Sequence, residues 1–259
     1  MGRKIVFFDI DGTLYAHDIG VPRSTIDAIE KLLENDHIPV LSTGRSRAII
    51  PQNLIDIGFK GIIAAGGADV SFDNKEIFQI VDNKETAKEI ISLLNEGNID
   101  FVLEGPEYVY YDATKDLNID PHIRGIVETV GIEKFKSFDE DEVVYNKISA
   151  AMNKKSVILD GIRQKYDVIV HSSIPVAEMV PKGTNKAVGI EKMLDYLGID
   201  KKETYAFGDS NNDMEMLDYV EYGIAMGNAY PDVLKRARYK TKSIYDDGIY
   251  YGLKDFGLI

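Results

Sequence analysis

Residues 5–15 read IVFFDIDGTLY, and they are the most informative segment for predicting the fold of the chain. It opens with a short, continuous apolar run, which is typical of a buried parallel strand. The run ends on Asp9 and Asp11, two carboxylates separated by one residue, and Gly12 then allows a sharp backbone turn. On an extended segment these two side chains point to the same side. Because like charges in a sheltered site repel each other, this strand end predicts a bound cation or a shared proton.

Strand and helix patterns alternate at both ends of the chain, which has 259 residues. Further apolar strands are predicted at residues 38–42, 61–65, 204–207 and 223–226. Amphipathic helices separate them, and Ser24 is predicted to cap the first helix. This alternation predicts an α/β fold in which helices cover both faces of a Rossmann-like parallel sheet. Open sheets of this kind bind ligands at the carboxyl ends of their strands, where Asp9 and Asp11 lie.

The middle of the chain, residues 82–181, has a different order of helices, a hairpin and strands. It is long enough to form an α+β domain of its own. We therefore predict a discontinuous catalytic core, residues 1–81 and 182–259, with residues 82–181 inserted into it as a second domain. A domain joined by two crossings can open and close over a site, and residues 81–83 and 180–182 are the candidate hinges.

Composition excludes several classes of function. The net charge is −13, from 43 acidic and 30 basic residues, and disfavours general binding to nucleic acids or anionic membranes. The chain has no cysteine, which rules out disulfides, thiolate catalysis and cysteine-ligated metal sites. We find neither a secretory signal pattern nor an apolar run near the ~20 residues that span a bilayer. A cytoplasmic protein without membrane contact is therefore expected.

Three further motifs accompany the predicted elements of the core. Residues 42–45 read STGR, residues 181–186 read PKGTNK, and residues 205–213 read YAFGDSNND. A hydroxyl and free backbone N–H groups at a strand–turn, as at Thr43, can hold phosphate oxygens. In the third motif Asp213 lies one helical turn after Asp209, on the same side.

Together with DIDGT at residues 9–13, these motifs resemble, in order, the four motifs of the haloacid dehalogenase superfamily of phosphohydrolases. The resemblance covers nearly the whole chain, and the inserted domain resembles the C2B cap of the Cof-type subfamily. It implies a Mg²⁺-dependent phosphatase that forms an aspartyl-phosphate and whose cap determines specificity. One departure is that Gly66-Gly67-Ala68 stands where Cof-type members commonly have Asn-Gly-Ala.

The resemblance also implies a role for each motif residue. Asp9 is expected to be the nucleophile and Asp11 the general acid and base, with Thr13 keeping Asp11 in place. The expected protein ligands of Mg²⁺ are Asp9, Asp209 and the backbone carbonyl of Asp11, with Asp213 supporting them. The groups expected to bind the phosphate are Thr43, Lys186, Asn212 and the backbone near Ile10 and Gly44.

The expected substrate is a small phosphorylated metabolite, such as a sugar phosphate, and the expected state is a monomer or small homo-oligomer. Two alternatives stay open. A phosphomutase of the phosphomannomutase type should carry a second cluster of arginines or lysines in its cap, where this sequence has scattered lysines, Arg124 and Arg163. A non-catalytic sensor should bind phosphorylated compounds without turnover. Candidate contacts to the substrate in the cap are His122, Arg124, Tyr110 and Tyr145.

Overall fold

The computed structural model describes residues 2–117, 120–140, 142–171 and 174–259. The chain forms two compact units. The first unit consists of Met1–Gly44, Gln52–Phe78 and Asn185–Ile259, and the second of Arg45–Pro51 and Gln79–Thr184. The domain boundaries given above, and the hinges, remain predictions.

Strands and helices alternate through much of the chain. The strands are β1 (Ile5–Phe8), β2 (Ile38–Ser42), β3 (Gly61–Ala64), β4 (Asp69–Phe72), β5 (Lys75–Gln79), β6 (Asp100–Glu104), β7 (Val109–Tyr111), β8 (Phe135–Ser137), β9 (Lys147–Ala151), β10 (Tyr166–Val170), β11 (Val176–Pro181), β12 (Thr204–Gly208), β13 (Tyr222–Ala225) and β14 (Tyr239–Lys240). The α-helices are α1 (Arg23–Glu34), α2 (Gln52–Ile55), α3 (Lys84–Glu96), α4 (Pro121–Val130), α5 (Asp160–Lys165), α6 (Lys186–Leu197), α7 (Met214–Tyr219), α8 (Pro231–Arg236) and α9 (Gly248–Asp255).

The first unit is built on an eight-stranded sheet with the order β14-β13-β12-β1-β2-β3-β4-β5. The strands from β14 to β3 pair in parallel, and β4 runs antiparallel to β3. The predicted fold class, a parallel-sheet core with helices, is confirmed. Phe8 is in register with Leu41 on β2 and Phe207 on β12, so these three strands end side by side.

Strand β1 forms where the apolar run predicts it. All four of its residues are completely buried, as expected for a strand covered on both faces. Its Phe8 ring stacks on Phe207 of the neighbouring strand, with ring centres 5.4 Å apart and planes 9° from parallel. Aromatic pairs of this kind add to the stability gained from burial alone. This packing holds the carboxyl end of β1 firmly in the middle of the sheet.

The prediction that Ser24 caps α1 is wrong. The helix begins at Arg23, and Pro22 takes the preceding position, where its fixed φ of −57° is suitable and its missing N–H costs nothing. The Ser24 hydroxyl instead donates a hydrogen bond of 2.5 Å to the carboxylate of Asp247.

Other predicted elements differ at their ends. A helix predicted over residues 212–219 is a 3₁₀ turn, Asn211–Asp213, followed by α7. A strand predicted over residues 143–151 begins only at Lys147.

The second unit has a six-stranded sheet with the order β10-β11-β9-β6-β7-β8. The predicted hairpin is confirmed, because β6 and β7 pair antiparallel. One apolar cluster packs α3 and α5 on the sheet and includes Tyr145, Ile148 and Tyr166. A separate apolar cluster joins α4 to the short segment around Ala48. Among the described residues, no helix is both long and apolar enough to cross a membrane.

Candidate active site

The site of the first unit lies at the carboxyl ends of β1, β2 and β12. Asp9 follows β1, Thr43 follows β2, and Asp209 follows β12. All three side chains are buried. Because the three strands are neighbours in register, residues that are far apart in sequence meet at one edge of the sheet.

Lys186 joins two of the acidic residues. Its Nζ donates hydrogen bonds of 2.5 Å to Asp9 Oδ1 and of 2.5 Å to Asp213 Oδ1. Burial alone would lower the pKa of Lys186, but the carboxylates of Asp213 and Asp9 outweigh it and raise the pKa. The amine therefore stays protonated near neutral pH. Its position is set by the start of α6, where the side chain of Asn185 caps the helix by accepting from the Val188 N–H.

Asp213 is held by the backbone as well as by Lys186. Its Oδ2 accepts hydrogen bonds of 3.0 Å from the N–H groups of Asp209 and Ser210. This carboxylate also packs against Gly208, where an added Cβ would lie 2.7 Å from the Asp213 Cβ. Both oxygens of Asp213 are thus engaged, which suits a residue that orients the loop and the lysine.

Asp209 is placed by the turn after β1. Its Oδ1 accepts a 2.8 Å hydrogen bond from the Thr13 hydroxyl. Burial, followed by the charge of Asp213, raises the pKa of Asp209 to about 7. The carboxylate lies against Gly12, which has a φ of +86° and where a Cβ would come within 2.3 Å of Asp209 Oδ2. Glycine is therefore required at this turn for both its conformation and its size.

The three buried carboxylates Asp9, Asp209 and Asp213 offer oxygen atoms that all lie within 4.8 Å of one another. Lys186 supplies one positive charge to this group, so ionising all three carboxyl groups would leave two negative charges uncompensated. Burial and the charge of Asp213 raise the pKa of Asp9 in spite of Lys186. A set of hard oxygen ligands with this excess charge fits a divalent cation such as Mg²⁺. Since Asp213 is already engaged, Asp9 and Asp209 are the better placed ligands.

Asp11 differs from Asp9 in its surroundings, because its side chain is exposed. Its negative charge contributes to the raised pKa of Asp209, so the two carboxylates are close. The following turn is compact: the Gly12 N–H donates to the carbonyl of Tyr15, and the Ile10 carbonyl accepts from the N–H groups of Leu14 and Tyr15. An exposed carboxyl group at the edge of the site is accessible to substrate and water.

Of the expected phosphate-binding groups, Gly44 and Asn212 lie next to each other. The Thr43 N–H donates to the Ile63 carbonyl, which ties the end of β2 to β3. A Cβ added to Gly44 would lie 3.5 Å from Asn212 Nδ2, so this amide is beside the turn. The Asn212 Oδ1 accepts a 2.7 Å hydrogen bond from the Ser210 hydroxyl, which directs the amide donor away from Ser210.

Ser210 and Asn185 also hold this site in place, and neither was predicted from the sequence as a site residue. Ser210 and Asp213 form a reciprocal capping box, and Asn185 caps α6 next to Lys186. Both signals are present in the sequence, as Ser-x-x-Asp and as an asparagine directly before an apolar helix.

The candidate contacts in the second unit have varied surroundings. Arg124 is exposed and pairs with Glu128 at 3.6 Å. Tyr110 and Tyr145 are buried in the apolar cluster on α3 and α5, where the Tyr145 hydroxyl lies 2.9 Å from that of Tyr166. His122 is the exception, because its buried Nε2 has no hydrogen-bond partner among the described residues.

Comparison with known proteins agrees with this geometry. The sequence profile of the haloacid dehalogenase-like hydrolase family matches residues 6–253. The chain belongs to this family. The protein YkrA of Bacillus subtilis is 30% identical over 100% of both chains. The 5-amino-6-(5-phospho-D-ribitylamino)uracil phosphatase YitU of the same organism is 27% identical over 97% of each chain.

Solved structures give the same result. The subclass IIB sugar phosphatase BT4131 superposes with a TM-score of 0.80 at 26% identity, covering 99% of this chain and 100% of that one. The predicted superfamily and the predicted class of enzyme, a phosphatase, are thereby confirmed.

Proposed function

We propose that this phosphatase hydrolyses phosphomonoesters with the help of Mg²⁺ and through an aspartyl-phosphate on Asp9. The observation that supports this most is the buried cluster of Asp9, Asp209 and Asp213, whose charge exceeds that of Lys186. The names of relatives add support for small substrates. They include a sugar phosphatase, a phosphatase of a phosphoribityl compound and an HMP-PP phosphatase of Serratia proteamaculans, the last 24% identical to this chain.

Asp9 and Asp209 would hold the cation, and the backbone carbonyl of Asp11 remains a further predicted ligand. When bound, Mg²⁺ supplies positive charge that offsets the repulsion between a carboxylate and a phosphate dianion. Lys186 also offsets this repulsion, because its raised pKa keeps it positively charged beside Asp9. Asp213 keeps this lysine and the loop after β12 in place.

In the first half of the reaction, a carboxylate oxygen of Asp9 attacks phosphorus. A bond forms between that oxygen and phosphorus, and the bond from phosphorus to the ester oxygen breaks. Asp11 gives its proton to the departing oxygen, so an alcohol leaves and Asp11 becomes a carboxylate. The exposure of Asp11 at the edge of the site suits transfer to a group that must then diffuse away.

In the second half, Asp11 accepts a proton from water while the water oxygen attacks phosphorus. The bond between phosphorus and Asp9 breaks, which releases inorganic phosphate and restores both carboxyl groups to their starting states. Thr43, the Gly44 turn and the Asn212 amide are the groups proposed to hold the phosphate oxygens through both steps. The expected cytoplasmic location and oligomeric state remain predictions.

The test is phosphate release by the wild type and by Asp9→Asn, with Mg²⁺ and with EDTA. The panel contains sugar phosphates, nucleotides, pyridoxal phosphate and p-nitrophenyl phosphate. Wild-type release should require the cation, and Asp9→Asn should reduce it by at least about 10³-fold, because the amide is not a nucleophile. Asp195→Asn, an exposed substitution on α6, is the matched control and should keep full activity.

Circular dichroism should show both variants folded. Comparable turnover by a folded Asp9→Asn protein would refute the role of Asp9 as the nucleophile. Turnover in EDTA would refute the requirement for a divalent cation. Transfer of phosphate within a bisphosphate, without release, would point to the mutase. Binding of phosphorylated compounds by the wild type without turnover of any panel member would point to the sensor.

A further inference from the structure

Asn228 joins the turn after Asp11 to the segment that follows β14. Its Nδ2 donates a hydrogen bond of 2.8 Å to the carbonyl oxygen of Gly12, and its Oδ1 accepts one of 2.9 Å from the N–H of Ile244. All of these residues belong to the first unit. Because Gly12 offers an acceptor and Ile244 a donor, a side-chain amide in this one orientation satisfies both. The half-buried side chain of Asn228 therefore has both of its polar atoms engaged.

Backbone hydrogen bonds place Asn228 beside the candidate active site. The residue lies in the loop between β13 and α8. Before it, the N–H of Met226 donates to the Gly208 carbonyl at 2.9 Å. After it, the N–H of Tyr230 donates to the Asp209 carbonyl at 2.8 Å. The loop is thus bonded on both sides of Asn228 to the end of β12, where a predicted metal ligand lies.

The same loop packs closely on the segment after β14. The N–H of Gly227 donates a hydrogen bond of 2.9 Å to the Lys242 carbonyl. A Cβ added to Gly227 would lie only 2.6 Å from the backbone nitrogen of Ser243, so the two backbones are in direct contact. Asn228 follows Gly227 directly, and its amide is therefore held from a rigid support rather than from a free loop.

The Gly12 carbonyl belongs to a part of the turn that the chain itself leaves easy to rotate. Gly12 has a φ of +86° and lacks a Cβ, which would otherwise restrict the peptide groups on either side of it. The peptide before Gly12 is fixed by a bond of 2.8 Å from its N–H to the Tyr15 carbonyl. The peptide after it makes a longer bond, 3.3 Å, from the Thr13 N–H to the Ile10 carbonyl. The 2.8 Å bond from Asn228 is the shorter of the two bonds that fix this second peptide.

The orientation of this turn also affects Asp11, which directly precedes Gly12. Because the side chain of Asp11 is exposed, packing holds it less firmly than it holds the buried Asp9. A carboxyl group transfers a proton only within hydrogen-bond reach of the receiving atom, so a small displacement slows the transfer. Without Asn228, rotation of the peptide after Gly12 would displace Asp11 in this way.

We propose that Asn228 is a positioning residue, which holds the turn at Gly12 so that the carboxyl group of Asp11 meets the leaving oxygen of the substrate. The inference rests on the proposed function, in which Asp11 protonates that oxygen. Asn228 acts through the backbone of the turn rather than on the substrate. Its loss should therefore slow esters that need a proton at the leaving oxygen more than esters that do not.

The experiment compares two aryl esters of similar size, phenyl phosphate and p-nitrophenyl phosphate. Nitrophenolate leaves readily as an anion, whereas the more basic phenolate leaves faster when it receives a proton. Because kcat/KM reports the half of the reaction in which the leaving group departs, the ratio of kcat/KM for phenyl phosphate to that for p-nitrophenyl phosphate measures proton delivery. Asp11→Asn gives the ratio for complete loss of the acid, expected to be at least about 10²-fold below that of the wild type.

Two variants remove the contact with the turn. Asn228→Ala removes both hydrogen bonds, and Asn228→Asp removes the donor to Gly12 but keeps an acceptor for Ile244. Both should lower the ratio about tenfold. Asn35→Ala is the matched control, because Asn35 Nδ2 also donates to a backbone carbonyl, that of Leu258 at 2.9 Å. Asn35 precedes β2 and so lies at the other end of the strands from the site, and its variant should leave the ratio unchanged.

A merely structural role of Asn228 would lower kcat/KM for both esters by the same factor and leave their ratio unchanged. Combining the substitution with Asp11→Asn provides a second separation of the two roles. Once the acid is absent, adding Asn228→Ala should not lower the ratio any further, because the two residues act on one proton transfer. An unchanged ratio in folded Asn228→Ala protein, or a further tenfold fall in the combined variant, would overturn the inference.

Circular dichroism should show all variants folded. If neither Asn228→Ala nor Asn228→Asp folds, the amide serves folding rather than positioning, and the inference is overturned. A wild-type ratio as low as that of Asp11→Asn would refute the role of Asp11 as the acid and this inference with it. Wild-type protein that releases phosphate from neither ester would refute the proposed function, whereas an unchanged ratio in an active Asn228→Ala protein would refute this inference alone.

Discussion

Replacing Lys186 by methionine removes the cation that contacts both Asp9 and Asp213. Lys186 is 1% exposed, and it makes two ion pairs of 2.5 Å. Methionine has a similar length and stays apolar, so the variant loses charge rather than packing. Three buried carboxylates then remain within 4.8 Å of one another without a neutralising partner.

The expected loss of stability follows from these contacts. Removing one partner of a buried ion pair costs about 3–5 kcal/mol, because the other charge is left in a medium of low dielectric. Protonation limits this cost, since the pKa of Asp9 is raised and that of Asp209 is about 7. We therefore expect about 3 kcal/mol at neutral pH, equivalent to a fall of roughly 6–12 °C in the unfolding midpoint of a chain of this size.

The assay is thermal unfolding followed by circular dichroism, in EDTA so that no divalent cation replaces the lost charge. Lys202→Met, an exposed lysine of the same unit, is the control and should shift the midpoint by less than about 2 °C. Adding Asp9→Asn to Lys186→Met should recover at least about 1 kcal/mol, because it removes one of the repelling carboxylates. A Lys186→Met protein within about 1 kcal/mol of the wild type, or no recovery in the double variant, would refute the charge argument.

Two further predictions concern the turn after β1 and the buried ion pair between Lys147 on β9 and Glu178 on β11. Gly12→Ala should lower kcat/KM by about 10²-fold on p-nitrophenyl phosphate, because its Cβ would displace the carboxylate of Asp209 and the φ of +86° suits glycine; full activity in steady-state assays would contradict this. Glu178→Gln should cost about 2 kcal/mol in chemical unfolding at neutral pH, since it removes the charge that pairs with Lys147. Burial would raise the pKa of Glu178, but Lys147 and His171 hold it below its ordinary value of 4.5. The stability that this depressed pKa contributes is therefore complete above about pH 4.5 and is lost as the pH falls further. The free energies of unfolding of the wild type and of Glu178→Gln should converge in acid. A difference that stays constant down to acidic pH would show that Glu178 does not titrate in this way.

Much of the core and the composition of its site could be predicted from local sequence. Strand β1 was predictable because four consecutive apolar residues can only be accommodated by burial on both faces, and all four are buried. The turn at Gly12 was equally clear, since a glycine after two carboxylates marks the end of the strand. Ser24 shows where such reasoning fails, because a good capping residue was displaced by a neighbouring proline and bonded to Asp247 instead.

Local sequence was enough to predict most strands and helices, the superfamily and the residue types of the candidate site, because periodicity and motifs are read over a few neighbouring residues. Which of those residues meet depends on the tertiary structure. Lys186 binds Asp9 across 177 residues of chain, and Thr13 binds Asp209 across 196 residues. Such contacts depend on the register and order of paired strands, which arise from packing the whole chain and leave no local pattern in the sequence.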